Sequence, residues 1–326
     1  MKKALLMVLI VCTAFAVSPA FGQVKQSREQ IVFYTSQWKG DRFPDGRPKL
    51  PDDLLKRAGS MTIEDIWGYL EGHGYRNQFE GSWDALHMTD AMPIVGRALT
   101  SQFMPTRPDM RAAILAEGKA EGRAVTGTNS WPIAELRQGD VWVADGFGKI
   151  KYGTLIGSNL GNGIAGHTHA GFIFYAGIRD QQENREIPNF NGMYKGYDPT
   201  GWADMELTGI NVPVRIGHAI VLPGDLVLGK PQEGVLFIPA ILAEAAVSSA
   251  EFTALKDEYN FMRNAEGENG GMFEGGWNVA KYDAFAKWIN AHPGKLKMPR
   301  SEFDQLLQQA KQRASHPFKP RSGSAH

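Results

Sequence analysis

The sequence predicts an α/β fold, on three observations. Residues 140–145, 155–169 and 171–176 read as strand, helix and strand in immediate succession, the unit from which helix-covered sheets are built. Residues 171–176 are almost continuously apolar, as in a strand buried on both faces. Residues 212–239 break into short apolar runs separated by Gly and Pro, and lead into an amphipathic helix over 240–262.

The elements follow in order. Lys2 and Lys3 precede an apolar run over 4–17 broken only by Thr13, and Ser18 to Gly22 supply the small residues of a cleavage site before Gln23. The run falls short of the roughly 20 apolar residues that a membrane span needs. Residues 1–22 are therefore read as a cleavable signal peptide, and the mature chain is expected to be exported, most simply to the periplasm, with no membrane span. Cys12, the only cysteine, lies inside this run. The mature chain then has no thiol, disulfide or cysteine-ligated zinc.

Residues 23–50 are polar, with turn signals at Lys39-Gly40-Asp41 and Phe43-Pro44-Asp45-Gly46, and are expected to form an extended N-terminal arm. A helix starts after Pro51 with Asp52 as its cap. A second opens at Thr62, with Asp65 at the reciprocal position of a capping box. Strands are expected over 94–100 and 140–145. Leu155, Leu160 and Ile164 give the next helix its apolar face. Residues 181–210 read as long, polar and irregular. Short strands follow at 212–216, 219–221, 225–228 and 234–239. Five glycines make 264–276 a linker, and a helical tail carries Phe285, Trp288 and Ile289 on one face. The last dozen residues read as disordered. The principal domain thus spans 51–262, with a linker and helical extension over 263–326.

Charge narrows the function. The 35 basic residues balance 35 acidic ones. That excludes the basic footprint of a nucleic-acid binder and attraction to an anionic membrane surface. The chain has no G-x-S-x-G, Walker loop or dinucleotide fingerprint.

Two pieces carry chemistry. Gly157-Ser158-Asn159-Leu160 opens a helix, whose first N–H groups and positive dipole end suit a carboxylate. Gly157 permits close approach. Arg179 and Asp180 end the buried strand, with twenty residues between Ser158 and Arg179. Arg179 offers a planar fork for a carboxylate or keto-acid oxygens. Asp180 is a hard oxygen ligand, and one carboxylate with waters and a chelating substrate is how Mg²⁺ is usually held. Weaker candidates are the His167-Thr168-His169 pair, Glu233, and the Asp145-Gly146 turn.

The Gly-x spacing to Arg-Asp, with the Pro223-Gly224-Asp225 and Gly234-Val235-Leu236-Phe237-Ile238-Pro239 blocks, resembles the RraA-like family over about residues 51–262. That family includes regulators of ribonuclease activity A and class II 4-hydroxy-4-methyl-2-oxoglutarate aldolases. The resemblance implies an α/β sandwich around a central mixed sheet, a homotrimer or hexamer, and a site at the subunit interface. It implies a Mg²⁺- or Mn²⁺-dependent lyase cleaving a small 2-oxo acid, such as the methyl-oxoglutarate or oxaloacetate, with release of pyruvate. Gly157, Ser158, Asn159, Leu160 and Arg179 would bind substrate. Asp180 would hold the metal, and Arg179, Asp180 and Ser158 would carry the chemistry. One departure matters. The aldolases place an acid after the glycine to orient metal-bound water, and this chain has Ser158. A hydroxyl can bond that water but cannot act as a carboxylate base at neutral pH. An exported, non-catalytic carboxylate-binding protein is the alternative. Export sets a ribonuclease regulator last.

Overall fold

The computed structural model describes residues 23–86, 93–267 and 276–315. The expected signal peptide, most of the glycine-rich linker and the end of the tail lie outside the described residues. The elements are α1 (Arg28–Tyr34), α2 (Asp52–Ala58), α3 (Ile63–Gly72), β1 (Phe79–Glu80), β2 (Asp84–Ala85), β3 (Ile94–Pro105), α4 (Pro108–Ala120), β4 (Asp140–Asp145), α5 (Ser158–His167), β5 (Phe172–Ile178), α6 (Gln181–Arg185), β6 (Gly192–Tyr197), β7 (Met205–Ile210), β8 (Val214–Ile216), β9 (Ala219–Val221), β10 (Leu226–Lys230), β11 (Gly234–Ile238), α7 (Ala243–Ala265), α8 (Val279–Ala291) and α9 (Arg300–Ser315).

Among the described residues nine strands form one mixed sheet in the order β1-β11-β10-β3-β4-β5-β6-β2, and β7 pairs with the second half of β3. The run β3–β4–β5–β6 is parallel, whereas β10, β11 and β7 pair antiparallel. Side chains alternate across the sheet. Trp142, Phe172 and Phe174 point into a core shared with Trp131, Leu155 and Ile164 on the helical side. Val141, Val143 and Ile173 point to the other face, where the β8–β9 hairpin covers them with Val214, Ile216 and Val221. On the helical side Leu226, Leu228 and Leu236 meet Leu54, Ile66, Leu70 and Val247 of α2, α3 and α7. The expected α/β fold with a central mixed sheet is what the chain adopts.

Several local expectations need correction. Residues 23–50 are not an extended arm. Ser27 and Gln30 form a reciprocal capping box that starts α1, and Ile31 is buried beneath it. Arg47 is fully buried and pairs with Asp140 on β4 at 2.9 Å. Asp52 does not cap α2. Pro51 is the N-cap residue with no side-chain bond, and Asp52 instead pairs with Arg97. Thr62 does cap α3, accepting from Asp65 N–H at 3.2 Å. The Asp65 carboxylate accepts the Thr62 hydroxyl rather than a backbone N–H, so only half of the box forms. Residues 181–210 are not irregular throughout, since they hold α6, β6 and β7.

The extension folds back on α7. Phe285 of α8 lies 5.8 Å from Phe252, 5.7 Å from Tyr259 and 5.7 Å from Phe303 of α9, ring centre to ring centre. Burying such rings supplies this small unit with its own core. Among the described residues no helix is long and apolar enough to cross a membrane.

Candidate functional site

The two chemical pieces of the sequence meet at the C-terminal end of β5, where open α/β sheets commonly place ligands. The segment before α5 is pinned along that strand. Leu155 N–H donates to Gly177 C=O at 3.0 Å, and Arg179 N–H donates to Ile156 C=O at 3.0 Å. The first turn of α5 therefore starts beside the last residue of β5. Asp180 has φ of 51°, the left-handed region that aspartate tolerates better than most residues. That turn reverses the chain into α6.

Asp180 Oδ2 accepts from Ser158 N–H at 3.1 Å and from Arg179 Nη1 at 3.1 Å. Asp180 Oδ1 takes one longer contact, from Arg179 Nη1 at 3.3 Å. Gly157 makes this possible. A Cβ there would stand 2.3 Å from Asp180 Oδ2 and 2.9 Å from Arg179 Cζ, distances no side chain tolerates. Helical bonding begins with Gly161 N–H donating to Gly157 C=O at 2.9 Å. A helix cannot satisfy its first N–H groups internally. With Ser158 N–H taken by Asp180, those of Asn159 and Leu160 are the pair available to a ligand. Asn159 is exposed and Leu160 partly so. The Arg179 and Asp180 side chains are 43% and 30% exposed, so solvent and solutes reach both.

Asn184 was not legible as a site residue. It is fully buried on α6, and its Nδ2 donates to Arg179 C=O at 3.0 Å and to Asp180 C=O at 2.9 Å. Gly161 leaves room for it, since a Cβ at Gly161 would fall 2.0 Å from Asn184 Oδ1. Glycines one turn apart, Gly157 at the N-cap and Gly161 within α5, thus face Asp180 and Asn184. Their four-residue spacing was the available signal.

The weaker candidates do not join. Asp145 pairs in register with Tyr175, short of the Arg179–Asp180 turn, and accepts Phe147 N–H at 2.9 Å. Burial pushes its carboxyl up, against that hydrogen bond and the charge of Arg215. His167 donates from Nδ1 to Gly163 C=O at 2.8 Å on its own helix. Glu233 sits in the β10–β11 turn. Asp225 of the Pro-Gly-Asp block is structural. It is buried and accepts from Leu222 N–H at 2.8 Å and Ala240 N–H at 3.1 Å, tying two turns together. Burial pushes its carboxyl up to about 7, against those two hydrogen bonds.

Among the described residues no three His, Cys, Asp or Glu side chains cluster as a metal cage. The donor set at Asp180 suits a hard cation that takes a single carboxylate and completes its shell with water and substrate. Asp180 Oδ1 is the less engaged of the two oxygens.

A family model described as RraA-like, Aldolase/RraA, matches residues 61–236, just over half of the chain. The chain belongs to the RraA-like family, which includes aldolase-type members and RNase inhibitors. Similar solved structures agree on the fold. RraAS2 of Streptomyces coelicolor, described as an unusual member of the RNase ES inhibitor RraA protein family, is 25% identical with a TM-score of 0.56. The match covers 66% of this chain and 100% of that one. An uncharacterized protein of Pseudomonas syringae pv. tomato is 16% identical with a TM-score of 0.55, over 70% of this chain and 95% of its own. A protein described among novel cellulases from gut-associated microbes is 19% identical with a TM-score of 0.56, over 72% and 96%. Both of these share the fold. The family match contains residues 157–160 and 179–180, and leaves α1, α8 and α9 outside.

Proposed function

We propose that the chain is a divalent-cation-dependent carbon–carbon lyase that cleaves a small 2-oxo acid and releases pyruvate. The observation that supports it most is the contact of Gly157, Ser158, Arg179 and Asp180 at one strand end. The Arg179 guanidinium and the Asn159 and Leu160 N–H groups bind and orient the substrate carboxylate. Asp180 holds Mg²⁺ or Mn²⁺. When bound, that ion supplies the pull on the keto oxygen that weakens the neighbouring carbon–carbon bond. The Ser158 hydroxyl positions a water by hydrogen bonding. It cannot take a proton as a carboxylate would, so turnover depends on how little the reaction needs that base.

In a single chain this site is open to solvent at the C-terminal end of an internal strand. The proposal therefore includes a homotrimer or hexamer in which a second copy closes the site, and export to the periplasm after cleavage before Gln23. Ser158 favours one other reading, an exported carboxylate-binding protein without turnover. Incubating the purified chain with Mg²⁺ and oxaloacetate, or with 4-hydroxy-4-methyl-2-oxoglutarate, and coupling pyruvate release to a dehydrogenase separates the two. EDTA-sensitive release is expected for the lyase. Ligand-induced thermal stabilisation with no pyruvate supports the binding protein.

A further inference from the structure

α9, which lies outside the family match, lines a cavity of about 1310 Å³ together with residues of α3 and α7, with Trp277 and with Tyr282 of α8. None of its lining residues belongs to the strand-end site. Phe252, Trp277, Tyr282 and Leu306 supply apolar faces. Gly68 and Gly72, one turn apart on α3, leave that wall bare, since a Cβ at either would meet nothing within 4 Å.

One amine lines this space. Lys256 Nζ lies 5.2 Å from the centre of the Trp277 ring, and among the described residues it has no hydrogen bond or ion pair. Lys281 Nζ stands over the same ring at 4.9 Å and donates to Asn260 Oδ1 at 2.7 Å. Burial holds Lys256 below the ordinary lysine range, against the pull of Asp257 and Asp65, and the charge of Lys281 adds to the depression. Partial removal from water favours the neutral amine, which is the nucleophilic form of a lysine. Glu64, Asp65, Glu302, His73 and Arg313 also line the cavity. The acids disfavour a carboxylate ligand, and the aromatic walls favour an uncharged one.

We propose that Lys256 forms an imine with an uncharged aldehyde or ketone held in this cavity. The amine lone pair attacks the carbonyl carbon, both amine protons leave with the carbonyl oxygen as water, and a carbon–nitrogen double bond remains. This reaction is independent of the lyase reading.

The test treats the full chain with limiting benzaldehyde and cyanoborohydride, whose hydride reduces the imine to a stable secondary amine, and maps the labelled lysines by mass spectrometry. Lys256 is expected to carry at least tenfold more label than exposed lysines such as Lys56 and Lys119, with the preference lost in urea. Asp180→Ala should leave it unchanged. Labelling of Lys256 no greater than that of Lys56 and Lys119, or a preference that persists in urea, would overturn the proposal.

Discussion

Arg47 and Arg179 each face an aspartate, at 2.9 and 3.1 Å, and the likeness ends there. Both members of the Arg47–Asp140 pair are fully buried, while Arg179 and Asp180 keep 43% and 30% of their side-chain surface exposed. Burial pulls the Arg47 guanidinium down, but the charges of Asp140 and Asp45 outweigh it and hold it above its ordinary value. Burial also pushes the Asp140 carboxyl up, a cost its bond to Arg47 opposes. Such a pair is fixed, because removing one partner strands the other charge away from water. The Arg179–Asp180 pair has water as an alternative partner, so neither side chain depends on the other for solvation. The same pairing is thus buried at one end of the parallel strands and open to solvent at the other. Arg47 meets Asp140 at the start of β4, and Arg179 follows the end of β5.

The comparison breaks most visibly at Arg47. Arg47→Ala should destabilise the chain by about 3–5 kcal/mol, the cost of leaving a buried charge alone. Chemical denaturation checks it, and a loss below about 1 kcal/mol would place Asp140 in contact with water.

Asp225 gives a second, pH-dependent effect. Its folded pKa of about 7 lies above the ordinary 3.8, so the folded state holds the proton more tightly than the unfolded chain. Stability from this group is therefore present below pH 3.8 and is lost as pH rises through 7. At about 1.4 kcal/mol per unit, the loss amounts to at most about 4 kcal/mol. Asp225→Asn should remove that slope between pH 4 and 7, as read from unfolding free energies of the two proteins across pH.

The smallest effect sharpens the contrast. Arg179→Ala should cost less than about 1 kcal/mol of stability, as exposed pairs do. The same denaturation experiment measures it, and a cost equal to that at Arg47 would make Arg179 a structural residue.

What could be read from the sequence follows the distance between interacting residues. The helix start at Gly157 and the turn at Arg179–Asp180 flank one helix–strand pair, α5 and β5, and short-range patterns mark both. The arm was misread because its anchor is distant, with Arg47 lying 93 residues from Asp140. Its one local signal is the capping box at Ser27 and Gln30, which opens a helix of only seven residues. β6 reads as loop because Gly192, Lys195 and Gly196 interrupt its apolar pattern. α4 buries only Ile114 and Gly118, too narrow a face to give a helical signal. The Lys256 cavity needs α3, α7 and α9 together, which no local pattern announces.

Calorimetric titration of Mg²⁺-loaded protein with oxalate, a stable mimic of a chelating 2-oxo acid, tests the strand-end site most directly. The wild-type chain should bind oxalate only with Mg²⁺ present, and Arg179→Ala and Asp180→Ala should each weaken binding at least tenfold while their melting temperatures stay near that of the wild type. Oxalate binding that ignores the metal, or that survives both substitutions, would contradict the site.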